Sequence, residues 1–369
     1  MKLTLIAVIL FVCFSAAVYP QSNDSIEVAL HLRNVELNEE TAEIFTLVKN
    51  YFNSKPDSLY DNPYWSRLEK QILPDFDLSR VLVYQFPSNT LLKIFKPLIL
   101  SINKKDSVYE IRTALLSTGK NNFTQNPWTI LLYRAVKEEG KWVLSNYLSS
   151  ETKHWNSEKL GNITFHYPED HIYSYDNANK SVSFCDSTTK QFGLEAVEFD
   201  FYIARSADEM GRLLNCDFFF AGYTDGKSYS ENKLVFSGIG SEWFPHEIVH
   251  VLFREYRNVH RLVDEGTATW IGGLPAGSLS DLIKKNTTLK NFSFNELLNF
   301  ESGNLDFYIT GGILCKYIFE NYGLDGFKKM LVPVKTNDEL YRMLESTYGL
   351  DQTKLNQIIK DGINIPQSD

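Results

Sequence analysis

Residues 244–250 read Phe-Pro-His-Glu-Ile-Val-His, and after fourteen intervening residues the chain continues Glu-Gly-Thr-Ala from Glu265. His246 and His250 are four apart, so on an α-helix both imidazoles project from one face, one turn apart, close enough to hold a single metal ion. Glu247 then flanks the open coordination position and can accept a proton from a water molecule there. Seven histidines and 46 acidic residues in 369 positions give about 0.02 copies of His-(Asp/Glu)-x-x-His by chance, so the spacing carries information. The plain alternative is an amphipathic helix whose two histidines face a polar neighbour, which leaves their spacing unexplained.

A catalytic zinc site needs a third protein ligand. A metzincin has histidine where this chain has Tyr256 and glycine where it has Phe253, which excludes that class. His260 has suitable chemistry but lies in the expected connection, 257–263, with no motif around it. Glu265 opens a second apolar segment that Gly272, Gly273 and Pro275 terminate, so its carboxylate points back from the first turn of a helix packed on the first. Small residues Gly266 and Ala268 permit that packing to be close. Asp264 is a further candidate ligand, better suited to a hydrogen bond with a zinc-bound histidine. The expected set is His246, His250 and Glu265, holding one Zn2+ per chain.

These residues carry a resemblance. Phe-Pro-His-Glu-Ile-Val-His at 244–250 and Asp-Glu-Gly-Thr-Ala-Thr-Trp at 264–270 resemble the gluzincin zinc metallopeptidases, and more narrowly the secreted peptidase MA-like family of bacteria. The resemblance implies a zincin-type domain, hydrolysis of peptide bonds, zinc on His246, His250 and Glu265, and Glu247 as general base. It also implies an oxyanion-assisting tyrosine at the start of a C-terminal helix, which falls on Tyr308 of the segment 308–323. Two departures qualify it. Residues 236–243 read Phe-Ser-Gly-Ile-Gly-Ser-Glu-Trp, without the Gly-x-Met-Glu-Asn amine anchor of the aminopeptidases, so internal cleavage is expected over N-terminal trimming. Thr269 stands where thermolysin-like enzymes have an aspartate orienting a zinc histidine, so that role passes elsewhere. Two other function classes stay open: a zinc-containing binding or scaffold protein with little turnover, and a zinc amidase or esterase acting on a non-peptide substrate.

The elements that must position these residues are partly legible. Pro245 suits a first helical turn, and Phe244, Ile248, Val251 and Leu252 recur at helical spacing as a buried stripe. The pattern predicts an α+β chain in two parts. The first, 24–150, has a helix from Glu39 to Phe52 and then four strands: Pro97–Ser101, Val108–Leu116, Trp128–Val136 and Lys141–Leu148. That order resembles the nuclear transport factor 2-like cone, which implies no activity. A polar linker, 151–161, leads to the metallopeptidase part, 162–365. There the pattern predicts strands at 162–167 and 197–204, a helix over 176–192 ending at Gly193, and a short helix capped by Ser206 with Glu209. Lys233–Phe236 is expected as the edge strand before the zinc helix, the edge on which gluzincins bind substrate backbone. A helical C-terminal lobe follows, with a Ser293/Glu296 cap and helices over 311–321, 324–331, 336–346 and 351–361.

Composition bounds the rest. Met1-Lys2, an apolar run from Leu3 to Phe14 and Ser15-Ala16-Ala17 read as an export signal over 1–17, which predicts a secreted or periplasmic protein with no mature transmembrane helix. Removal of the signal leaves Cys185, Cys216 and Cys315, too sparse for a disulfide framework; a Cys185–Cys216 bridge is compatible with an oxidising compartment, and buried free thiols are the commoner outcome. A net charge of −9 without a Lys/Arg-rich block argues against nucleic acid. The expected partner is a protein or peptide substrate.

Overall fold

The computed structural model describes residues 26–29, 39–54, 62–74, 76–79, 95–118, 125–220, 222–256, 258–285, 293–299 and 304–364. The expected export signal lies outside them. Among the described residues no helix is long and apolar enough to cross a membrane. Helices and two separate sheets alternate in blocks, an α+β arrangement.

The first sheet is built from β1 (Glu27–Val28), β2 (Phe95–Lys105), β3 (Val108–Thr118), β4 (Gln125–Glu138) and β5 (Lys141–Ser145), in that spatial order. Strands β2 to β5 form an antiparallel meander, with tight turns at 106–107 and 139–140. Helix α1 (Glu39–Asn53) buries Ile44, Leu47, Val48, Tyr51 and Phe52, the i, i+3, i+4 stripe of an amphipathic helix. They share a core with Trp65, Phe76, Ile111, Leu131 and Tyr133. Helix α2 (Arg67–Ile72) lies beside this core and starts at a Ser66 cap.

One strand of this sheet comes from far along the chain. Segment β9 (Cys216–Phe219) pairs antiparallel with the first half of β4, matching Thr129 to Phe219 and Leu131 to Cys216. Asn215, in the left-handed region at φ 62°, turns the chain into that strand after α5 (Ala207–Leu213).

The second sheet has the order β10 (Gly226–Tyr229), β11 (Leu234–Ser237), β8 (Phe199–Ile203), β7 (Ile163–Tyr167), β6 (Asn156–Leu160). Its inner pairs β7–β8 and β8–β11 are parallel and its outer pairs antiparallel. Helix α4 (Tyr175–Phe192) makes the crossover from β7 to β8 and ends on Gly193 at φ 59°.

Two expectations need correction here. The strand at Leu234–Ser237 is an interior strand, flanked by β10 and β8, and all four of its residues are buried; a strand covered on both faces belongs inside a sheet. The edge is β10, whose short Gly-Lys-Ser-Tyr run carries no strand signal of its own. The stretch expected as linker, 151–161, begins at the last residue of α3 (Leu148–Glu151) and holds β6. β6 reads Asn-Ser-Glu-Lys-Leu, polar because it is the opposite, solvent-facing edge.

The remaining helices are α6 (Pro245–Leu252), α7 (Arg261–Gly272), α8 (Leu279–Lys285), α9 (Phe294–Leu298), α10 (Leu305–Met330), α11 (Asn337–Tyr348) and α12 (Gln352–Asn364). Reciprocal capping boxes start α9 at Ser293/Glu296 and α11 at Thr336/Glu339. Helix α10 starts six residues before the expected 311 and absorbs both expected helices; Gly323, at φ 68° and ψ −172°, kinks it between them. Helices α7 and α10 approach so closely that a β-carbon on Gly266 would lie 2.3 Å from the Gly311 carbonyl carbon. A third apolar cluster joins the two sheets: Leu78 and Leu148 pack with Ala204, Met210, Leu213, Tyr229, Leu234 and Phe236.

Candidate metal centre

Helix α6 begins at Pro245 and buries Ile248, Val249, Val251 and Leu252, which turns the opposite stripe, His246 and His250, toward α7. His246 is 5% and Glu247 9% exposed. Helix α7 packs across α6 and carries Asp264 and Glu265 in its first turns. Glu265 Oε2 lies 3.2 Å from His246 Nε2 and 3.6 Å from His250 Nε2. One ligand atom from each of His246, His250 and Glu265 can be chosen so that all lie within 4.8 Å of one another, and this group could hold a metal ion.

The opposite ring nitrogens decide how these groups present themselves. His246 Nδ1 is 2.8 Å from the Gly273 carbonyl oxygen, and His250 Nδ1 is 3.1 Å from Asp264 Oδ1. A carbonyl and a carboxylate only accept, so both Nδ1 atoms carry the proton, and each Nε2 is left with a lone pair when its ring is neutral. Two lone pairs therefore converge on a carboxylate oxygen, and acceptors face each other without a donor. A cation resolves that arrangement, either added protons on the imidazoles or a metal ion among the three groups. The donor set, two imidazoles and one carboxylate with their second nitrogens anchored, fits a metal.

The electrostatics follow from the same contacts. Burial disfavours the charged form of His250, yet Asp264 and Glu265 outweigh it and hold the imidazole well above its usual pKa. Burial likewise opposes charge on Glu265, and hydrogen bonding to His246 and His250 outweighs it, holding the carboxyl well below its usual range.

The other singled-out residues fall as follows. Asp264 bonds His250. His260 caps α7, its Nδ1 accepting from Leu262 N at 3.2 Å and its Nε2 lying 3.1 Å from Asn337 Oδ1, so it is outside the cluster. Tyr308, near the start of α10, has its ring centroid 6.0 Å from that of His246. Thr269 Oγ1 is buried without a hydrogen-bond partner and does not orient a histidine. That work is done by the Gly273 carbonyl, which the sequence reading missed; its signal was the Gly-Gly pair that ends α7. Gly226, the first residue of β10, was also missed. A β-carbon there would lie 2.3 Å from the Phe244 ring and 2.8 Å from Glu247 Cγ, so the sheet edge passes directly beside Glu247. Glu242 is engaged elsewhere: it is 1% exposed, with Oε1 accepting from Ser174 N and 2.8 Å from His171 Nε2. The three described cysteines are free and buried, and burial pushes each thiol up to about 12, which removes them as nucleophiles at neutral pH.

Comparison of the chain with protein-family models and with curated proteins finds no match in either.

Proposed function

We propose that the protein is an exported zinc metallopeptidase of the gluzincin type, cleaving bonds within proteins or peptides. In this reading 162–365 is a zincin-type catalytic domain, and 24–150 is an accessory resembling the nuclear transport factor 2-like cone. The observation that carries it is the convergence of both Nε2 atoms on Glu265 Oε2 while both Nδ1 atoms are tied to acceptors. His246, His250 and Glu265 would hold the ion. Zinc so held would keep a net positive charge, which would acidify water toward a pKa of roughly 7 and polarise a carbonyl.

This chain's own residues supply the remainder. Extended substrate backbone would lie along β10, which has a neighbour on one side only among the described residues and whose Gly226 permits close approach beside Glu247. Glu247 takes a proton from the attacking water and passes it to the leaving nitrogen. Tyr308 donates a hydrogen bond to the carbonyl oxygen as negative charge develops on it. Glu242 is buried and bonded to Ser174 N and His171, so it does not await a substrate amine, which supports internal cleavage.

Metal analysis of the purified protein combined with a peptide-library digest tests the reading. One zinc per chain is expected. Glu247→Gln should keep the metal while hydrolysis falls by roughly 10² or more, since the amide cannot take a proton. Acetylated and free peptides should be cut alike. Equal turnover by Glu247→Gln, or single residues released only from unblocked N-termini, would refute the mechanism or the internal cleavage respectively.

A further inference from the structure

The first turn of α7 carries a second charged group facing the same region. Arg261 is one helical turn before Glu265, so the two side chains leave the helix on one side, about 6 Å apart along its axis. The guanidinium is exposed, and its Cζ sits 5.2 Å from the centroid of the Phe307 ring. Phe307 is buried and precedes Tyr308, whose ring neighbours His246. The aromatic platform thus fixes the cation on the side of α7 that carries Glu265, two ring contacts from His246 by way of Phe307 and Tyr308.

Arg261 lacks a counterion among the described residues, as do Arg134 and Arg342, but it alone of the three lies on the helix that carries Glu265. Among the described residues it forms no ion pair, whereas Arg67, Arg112, Arg205 and Arg212 each meet a carboxylate. The nearest carboxylate along its own helix, Asp264, is turned to His250 Nδ1. A guanidinium fixed over a ring, with its N–H fork unused, is preorganised for a planar anion. In a chain of net charge −9, an acidic ligand needs such a local cation to be accepted.

Resting on the peptidase reading above, we propose that Arg261 is a specificity residue that receives a substrate carboxylate, either an acidic side chain near the cleaved bond or the peptide's C-terminus. It binds and orients the substrate and takes no part in proton transfer.

The test uses the full chain loaded with zinc and two peptide series built on one cleavable sequence. The first is acetylated and amidated, with Glu or Gln at each position flanking the cut. The second carries Gln throughout, with a free or an amidated C-terminus. The carboxylate-bearing member of one pair should be cut with a kcat/KM roughly 10- to 100-fold higher, mostly through KM. That ratio should fall to near one in Arg261→Gln and to an intermediate value in Arg261→Lys, which keeps charge without the fork. A Glu-over-Gln preference identifies a side chain as the source; a free-over-amidated preference identifies the C-terminus. Full preference retained by Arg261→Gln, or none in the wild type, overturns the assignment. Peptide affinity measured on the Glu247→Gln protein reads the same ratio without turnover. If the wild type cuts nothing while this variant still discriminates through Arg261, the peptidase reading fails and the carboxylate site stands; equal affinity for both members overturns the site itself. An unchanged circular dichroism spectrum and metal content in the Arg261 variants separate lost recognition from lost fold.

Discussion

At the scale of single residues, the centre is defined by which nitrogen of each imidazole is already committed. Gly273 and Asp264 occupy the Nδ1 positions, and Glu265 receives both Nε2 atoms. The third ligand can therefore be tested directly. Glu265→Ala should abolish stoichiometric metal binding, and His260→Ala should leave most of the affinity, because His260 is occupied as a helix cap. Inductively coupled plasma analysis of the two variants decides it, and the reverse pattern would transfer the ligand role to His260. Tyr308→Phe removes the hydroxyl of a ring whose centroid lies 6.0 Å from that of His246. If that hydroxyl stabilises the developing charge, kcat should fall on the order of 10- to 10³-fold with metal retained. A change confined to KM would assign it to ground-state binding.

At the scale of elements, the site depends on how closely α6, α7 and α10 pack. Gly266 on α7 and Gly311 on α10 let backbone meet backbone: a β-carbon on Gly266 would fall 2.3 Å from the carbonyl carbon of Gly311 and 2.5 Å from its oxygen. Neither atom belongs to a side chain that could swing away. Gly266→Ala must push the helices apart, at a cost of about 1–3 kcal/mol, despite alanine's better helix propensity. Because Glu265 is the adjacent residue, the same displacement should weaken metal binding. A lowered thermal midpoint together with weaker zinc affinity is the expected outcome, and a variant as stable as the parent would show that the contact relaxes cheaply.

At the scale of the whole molecule, apolar packing joins the two sheets, and a polar network ties the turn into β9 to α2 and to the end of β5 on the first sheet. Asn215 Nδ2 donates to Asn146 Oδ1 at 2.6 Å, Asn146 Nδ2 donates to Glu69 Oε2 at 2.9 Å, and Trp65 Nε1 donates to the same carboxylate at 2.9 Å. Tyr229, at the end of the edge strand β10, donates to the Leu78 carbonyl. Burial pushes Glu69 up to about 7 from its usual 4.5, against the hydrogen bonds from Asn146 and Trp65, which favour the carboxylate. A carboxyl with a raised folded pKa binds its proton more tightly in the folded state. Its contribution is thus fully present below about 4.5 and is lost as the pH rises through about 7. Denaturant titrations at pH 5 and pH 8 should differ by ~1–3 kcal/mol on this account. Glu69→Gln, which cannot ionise, should reduce that difference; an unchanged pH dependence would place the linkage elsewhere.

Some of this was readable in the sequence because the causes are local. His246, Glu247 and His250 fall within one helical turn, the stripe Ile248, Val251 and Leu252 has the helical period, and the Ser293/Glu296 cap closes over three residues. The meander of the first sheet likewise announced itself through apolar runs broken by turns. Tertiary structure decided what depends on distant pairs. The choice of Glu265 over His260 rests on a contact nineteen residues apart, and the Gly273 carbonyl meets His246 across twenty-seven. The edge beside Glu247 is β10 because β11 is covered on both sides, and β9 joins a sheet whose paired strand β4 ends 78 residues earlier, Glu138 to Cys216. Periodicity and capping report the energy of a chain with its near neighbours. Which edge stays open and which carbonyl reaches a histidine are set by how whole elements pack, and no local pattern encodes that.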